Sequence, residues 1–239
     1  MLEPIERHSV ADQVFQQLRD RILSGDMGPG AALPSERKLA ELLGVNRGAI
    51  REGLKRLAQA RLVAIQQGGA TRVLDFEKTG GLDLLGHLLT RGGLDTAVAR
   101  SVMEMRTALA PHIAMLAARR RIPKHLDALE RLLAEMDGAT GQRILRQQLA
   151  DDFWGVLVEA SDNVAFRLAY NTLSVTHLSL GPLVAGLLAT EHDDTAAYRA
   201  ITDAVRARDE VKARTLAEQL IRRGEQAVTS FLGHLERTP

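Results

Sequence analysis

The chain of 239 residues carries 31 Lys and Arg against 30 Asp and Glu, a formal net charge of +1, and 45% of it is hydrophobic. That balance excludes a disordered chain and a polycation, and it suffices for one large domain or for a small one joined to a medium one. The absence of cysteine removes disulfides, thiolate nucleophiles and cysteine-ligated zinc together.

From the N-terminus, "MLEPIERHSV" contains no apolar run of the secretory kind, so a cytoplasmic protein is expected. Over residues 9–24, Val10, Val14, Leu18 and Ile22 are spaced by four and "SGDMGPG" follows, which predicts a packing helix with a stop. "LPSER" reads as a helix entry with Ser35 as the cap. Leu39, Leu42 and Leu43 lie on one face of that helix, Gly44 is suited to end it in a left-handed conformation, and Asn46 is suited to cap the next. In this third helix Arg47, Arg51 and Lys55 recur every fourth residue, while Ile50, Leu54 and Leu57 form a second, apolar face. "LVAIQQGGATRVLDF" then changes period, with Val63, Ile65 and Val73 predicting two short strands around Gly68 and Gly69. Residues 36–73 hold eight basic side chains and three acidic ones, so positive charge is concentrated there.

Beyond Asp75 helical patterns follow one another, over about 79–91, 95–121, 123–138, 141–160, 163–180, 182–190, 193–208 and 209–235. The fold expected is mainly α: a winged helix-turn-helix over 1–75 and an all-helical bundle over 76–239, which the family resemblance given below implies to be an effector-binding and dimerisation domain. Residues 168–190 are uncharged and long enough to span a bilayer, but Asn171, Thr172, Ser174, Thr176, His177, Ser179 and Pro182 lie within them, so a buried helix and a turn are expected, with no membrane partner.

A duplex major groove admits one helix, and its phosphates attract Arg and Lys. The third helix therefore reads as a recognition helix. Asn46 reads equally as an N-cap and as a base or phosphate contact, and the wing tip at Gln67 and Gly68 as a minor-groove or backbone contact. In the bundle, Arg106 stands in an apolar helix among Val102, Met105, Leu109 and Ile113, where it needs an anion. Either a ligand supplies it, or Asp151, Asp152 or Glu104 does. His177 reads as a core histidine or a ligand group. No phosphate-binding Gly-rich loop, H-E-x-x-H or G-x-S-x-G occurs, which argues against an enzyme.

The stretch "LPSERKLAELLGVNRGAIREGLKRLAQARLVAIQQGGATRV" resembles the DNA-binding domain of the GntR family of bacterial transcription regulators, and "TGGLDLLGHLL" with the helical remainder resembles its FadR subfamily. The resemblance implies a homodimer on a palindromic DNA operator, with Arg37, Asn46, Arg47, Arg51 and Gly68 at contact positions and Gly48, Ala49 and Gln67 beside them. It implies that Arg61 stands where many members have Gly, so that the third helix ends without the usual left-handed residue. Many such bundles hold a metal on one Asp and three His; those positions fall here on Ala150, Trp154, Tyr198 and Gln219, so neither metal nor other cofactor is expected. Relative to the metal-free, acyl-CoA-responsive members, Arg106, Asn171, His177, Gly224 and Phe231 fall at or near pocket positions. The function expected is a repressor or activator controlled by a fatty acyl-CoA or fatty acid. The alternatives are a metal-free regulator responding to a small carboxylate or sugar acid, and a constitutive DNA-binding protein.

Overall fold

A computed structural model describes residues 9–66, 69–90 and 93–237, and the side chains of these except 177–179. The chain divides into two compact units, Met1–Gly93 and Leu94–Pro239.

In the first unit, α1 (Val10–Leu23) opens on a Ser9 capping box, α2 (Glu36–Leu43) is capped by Ser35, and α3 (Arg47–Gln59) is capped by Asn46. Gly44 ends α2 at φ 65°, the left-handed conformation expected of it. Strands β1 (Val63–Ala64) and β2 (Arg72–Val73) pair antiparallel, Val63 opposite Val73. Ala32 bridges to Arg72, so the segment before α2 lies along the hairpin's other edge. Two short helices, α4 (Phe76–Thr79) and α5 (Leu85–Leu89), flank a 3-10 turn at Leu82–Leu84. Val14, Leu18, Ile50, Leu54, Leu57, Leu62 and Val73 form the core. Leu84 belongs to it, and Phe76 and Leu88 pack on it. The unit therefore continues past the boundary expected at residue 75, because these apolar side chains find their burial there.

The expectation about Arg61 is corrected. Arg61 itself takes φ 57°, and its carbonyl accepts a 3.0 Å hydrogen bond from the Thr79 hydroxyl. A left-handed non-glycine residue costs on the order of 1 kcal/mol, and Leu62 and Val63, both buried, are the side chains that this turn delivers to the core.

The second unit is helical among its described residues: α6 (Thr96–Arg120), α7 (Pro123–Gly138), α8 (Arg143–Ala160), α9 (Val164–Leu187), α10 (Ala189–His192), α11 (Thr195–Arg206) and α12 (Glu210–Leu235). Ion pairs Arg100–Glu236 and Arg119–Glu210 join opposite ends of α6 and α12, so the two run antiparallel. Small buried residues make their close contact possible: Ala110, Ala114 and Ala117 on α6, and Ala213, Ala217 and Gly224 on α12. The expected break near Pro182 is present, with Gly181 at φ 36° and ψ −111° between two helical stretches of α9. Phe153 and Tyr198, both fully buried, meet edge to face at 4.9 Å in the centre of the bundle.

Candidate nucleic-acid interface and effector site

The N-terminal end of α3 is built by local rules. The Asn46 Oδ1 accepts a 2.9 Å hydrogen bond from the Ala49 backbone N–H, satisfying a donor that the helix start leaves unpaired. Asn46 is thus an N-cap, and it is exposed. Arg37, Arg47, Gly48 and Arg51 are all exposed. Ala49 differs from its expected place beside DNA: it is 7% exposed, because its methyl falls on the apolar side of α3 with Ile50. Gln67 and Gly68 lie outside the described residues.

Glu36, at the start of α2, organises the arginines. Its carboxylate accepts bonds from the Arg51 Nε at 3.2 Å and from an Arg51 terminal nitrogen at 2.9 Å, and a terminal nitrogen of Arg47 lies 3.9 Å away. The Arg51 hydrogen bonds, helped by the charges of Arg51 and Arg47, hold the Glu36 carboxyl below its ordinary range against the opposing effect of burial. An exposed pair of this kind contributes about 0–1 kcal/mol. Phosphate oxygens can replace the carboxylate at little cost, and the two arginines stand one helical turn apart.

In the bundle, Arg106 is 7% exposed and Glu191 fully buried. One terminal nitrogen of Arg106 donates to Glu191 Oε2 at 2.8 Å and the other to Oε1, a two-point fork. Burial by itself would lower the Arg106 pKa; the charge and hydrogen bonds of Glu191 outweigh it and raise it above the ordinary value. The carboxylate that accepts these bonds is thus Glu191, and the Asp151 charge adds a smaller contribution in the same direction. Gly224 shapes the pair: a Cβ there would overlap Glu191 Oε2 and stand 2.8 Å from Leu188 Cδ2. Tyr198 adjoins the pair, its hydroxyl raised far above its ordinary pKa first by burial and then by the Glu191 charge.

A cavity of about 40 Å³ lies against this cluster, walled by Arg106, Ile113, Asp151, Trp154, Tyr170 and Leu173 among others. Trp154 Nε1 and the Tyr198 hydroxyl are buried with no hydrogen-bond partner among the described residues. Of the five residues expected at a pocket, Arg106 walls this cavity and Gly224 touches the partner of Arg106. Asn171 is exposed instead, because it falls on the outward side of α9; Phe231 is half-buried and outside the cavity wall, and the His177 side chain lies outside the described residues. Glu191 was not visible as a site residue in the sequence: no local spacing relates it to Arg106, 85 positions away.

The family's metal chemistry does not fit. A methyl, an indole, a phenol and an amide occupy the four positions at Ala150, Trp154, Tyr198 and Gln219, and they do not supply one carboxylate and three imidazoles. Gln219 is moreover exposed, away from the other three, which are buried. Among the described residues no group of three or more His, Asp or Glu is placed to hold a metal ion.

A helix-turn-helix with a basic second helix and a paired wing, in one chain with a helical bundle that encloses a polar cluster, defines a two-domain regulator of the winged-helix class. Comparison with known proteins agrees. Residues 10–73 match the gntR family of bacterial regulatory proteins and residues 101–223 match the FCD domain. The chain is 41% identical over 241 residues to the HTH-type transcriptional regulator Mce2R of Mycobacterium tuberculosis, covering 98% of this chain and 96% of that one. It is 29% identical over 177 residues to the fatty acid metabolism regulator protein of Serratia proteamaculans, covering 74% and 73%. Among solved structures, Lar, described as controlling the agr system of Listeria monocytogenes, has the same fold with a TM-score of 0.61 at 15% identity over 95% of this chain and 99% of that one. This chain belongs to the GntR family, as a DNA-binding transcription regulator with a FadR-like FCD domain. Among its described residues no helix is long and apolar enough to cross a membrane.

Proposed function

We propose that the chain is a cytoplasmic, ligand-responsive regulator that binds a palindromic operator as a homodimer, catalyses no reaction, and is controlled by a fatty acid or fatty acyl-CoA held in its FCD bundle without a metal. The observation that carries the DNA half is the placement of Arg47 and Arg51 at the exposed start of a capped helix, paired among the described residues with a carboxylate that phosphate can replace. Two such helices related by a two-fold axis read two half-sites. The effector half is supported by an arginine in the wall of an otherwise mostly apolar cavity, and by the resemblance to relatives named for fatty acid metabolism.

A small carboxylate is the second reading, and the cavity favours it. Pockets for drug-sized ligands run to roughly 300–1,000 Å³, whereas this one is about 40 Å³. An acyl chain therefore requires the bundle to open, and the break at Gly181 gives α9 a point at which to do so. A ligand changes operator affinity only by binding one state of the protein better than another.

The test is operator binding titrated with free fatty acids and acyl-CoAs of increasing length, alongside small dicarboxylates and sugar acids. Release or tightening by the acyl series supports the first reading. Response to a small acid alone moves the protein to the second, and response to none leaves a constitutive binder. A chelator is expected to change neither thermal stability nor operator affinity; loss of one equivalent of metal together with stability would refute the metal-free assignment.

A further inference from the structure

The buried pair of Arg106 and Glu191 is more than a structural salt bridge, because one of its members faces the cavity. Arg106 is itself part of the cavity wall, together with Asp151 and Trp154. Glu191 is not among the residues that wall the cavity. It lies on α10, a helix of four residues between the end of α9 and the start of α11. Both described hydrogen bonds of its carboxylate come from Arg106. Its position depends on a missing side chain, that of Gly224, across which the carboxylate rests. Trp154, in the same cavity wall, is buried and carries an Nε1–H donor with no acceptor among the described residues. The cluster thus holds one carboxylate seat already filled from inside, and one further donor waiting for an acceptor.

We propose that Glu191 is an internal stand-in for the carboxylate of the effector, occupying Arg106 until a ligand carboxylate enters beside Trp154 and takes its place. The proposal deepens the reading of the bundle as an acid-binding effector domain, and rests on it. It also narrows the ligand. The planar guanidinium fork matches two coplanar carboxylate oxygens, so a free acid exchanges with Glu191 where the single carbonyl oxygen of a thioester does not. The displaced Glu191 stays charged and must find another donor or water, so exchange moves α10 and its contact with Gly224 on α12. Occupancy of one seat by two carboxylates is mutually exclusive; Glu191 therefore sets the ligand affinity as well as reporting the bound state.

The full-length protein is titrated by calorimetry with acetate, octanoate and octanoyl-CoA, as wild type, Glu191→Gln and Gly224→Ala. Glutamine has the size of glutamate without its charge, and it leaves a buried guanidinium for the incoming carboxylate to neutralise. Octanoate is expected to bind Glu191→Gln on the order of tenfold tighter than wild type. Gly224→Ala, whose methyl group pushes the carboxylate off its seat, shifts affinity in the same direction, and octanoyl-CoA gains nothing. In unsubstituted protein, saturating octanoate should shift the Glu191 side-chain carboxyl ¹³C resonance.

Folded Glu191→Gln and Gly224→Ala proteins that bind carboxylates no tighter than wild type overturn the proposal, as does an unshifted Glu191 resonance at saturation. If octanoate binds wild type and operator affinity responds, yet neither variant gains, the exchange fails while the acid-responsive reading stands. If acetate binds Glu191→Gln and not wild type while no acyl compound acts on operator binding, the exchange stands and the acyl reading fails. Absence of binding of any carboxylate to any form overturns both.

Discussion

The chain contains the same chemical pair twice, in two settings. In the first unit Glu36 holds Arg51, with both side chains open to water; in the second Glu191 holds Arg106 with the carboxylate fully buried. The bond patterns are alike, a carboxylate accepting two guanidinium hydrogen bonds. The consequences differ because solvent screens the first and not the second. Water and salt already compete for Arg51, so its carboxylate is a loose placeholder that phosphate can replace. Removing either member of the buried pair strands a charge that water cannot reach. One unit thus has an arginine whose carboxylate partner any anion in solvent can displace, and the other an arginine shielded from that competition.

Breaking the buried pair is the largest expected effect. Arg106→Ala leaves the Glu191 carboxylate without its donors and should cost roughly 3–5 kcal/mol of stability, read by urea unfolding of the full chain. A loss below about 1 kcal/mol, the range of exposed pairs, would show that the two settings do not differ as argued. Next, Arg47→Ala or Arg51→Ala should leave unfolding nearly unchanged while weakening operator binding by on the order of 1–3 kcal/mol if a base edge is read. Wild-type affinity for both variants at fixed salt would remove α3 from the interface.

A half-buried group lies between the two extremes. His87 packs edge-on against Phe15, and one of its ring nitrogens lies 3.0 Å from an Arg19 nitrogen. Burial, and then the Arg19 charge, lower its pKa below the ordinary imidazole value of 6.5. The folded state therefore takes up the proton less readily than the unfolded state. Its contribution is fully present above that ordinary value and is lost as pH falls through the lowered folded pKa. NMR titration of the His87 ring should give a midpoint below 6.5; a midpoint at or above it would mean that the ring is not shielded as the packing indicates. The smallest effect is expected for Glu36→Gln, with stability changed by less than about 1 kcal/mol and operator binding kept or strengthened. Loss of operator binding in that variant would make Glu36 a positioning residue rather than a placeholder.

Much of the first unit was legible in the sequence because its signals are local. Ser35 and Asn46 cap the helices predicted for them, Gly44 turns left-handed, and the arginines every fourth residue do share the exposed side of α3. Each of these depends on neighbours within a turn or two. Even there, Arg61 adopted the left-handed conformation that its replacement of Gly was expected to remove, and Ala49 turned inward, because core packing outweighs residue-type preference at single positions. In the bundle the sequence identified an arginine that needed an anion and the break beside Pro182. It left the partner open, since helical periodicity places Arg106 on a face but says nothing of which distant helix meets that face. Only the packing of α6, α10 and α12 set Glu191 on Arg106 and required Gly224 to be bare. A pair 85 residues apart is decided by how helices stack, and that is a property of the whole core rather than of any stretch within it.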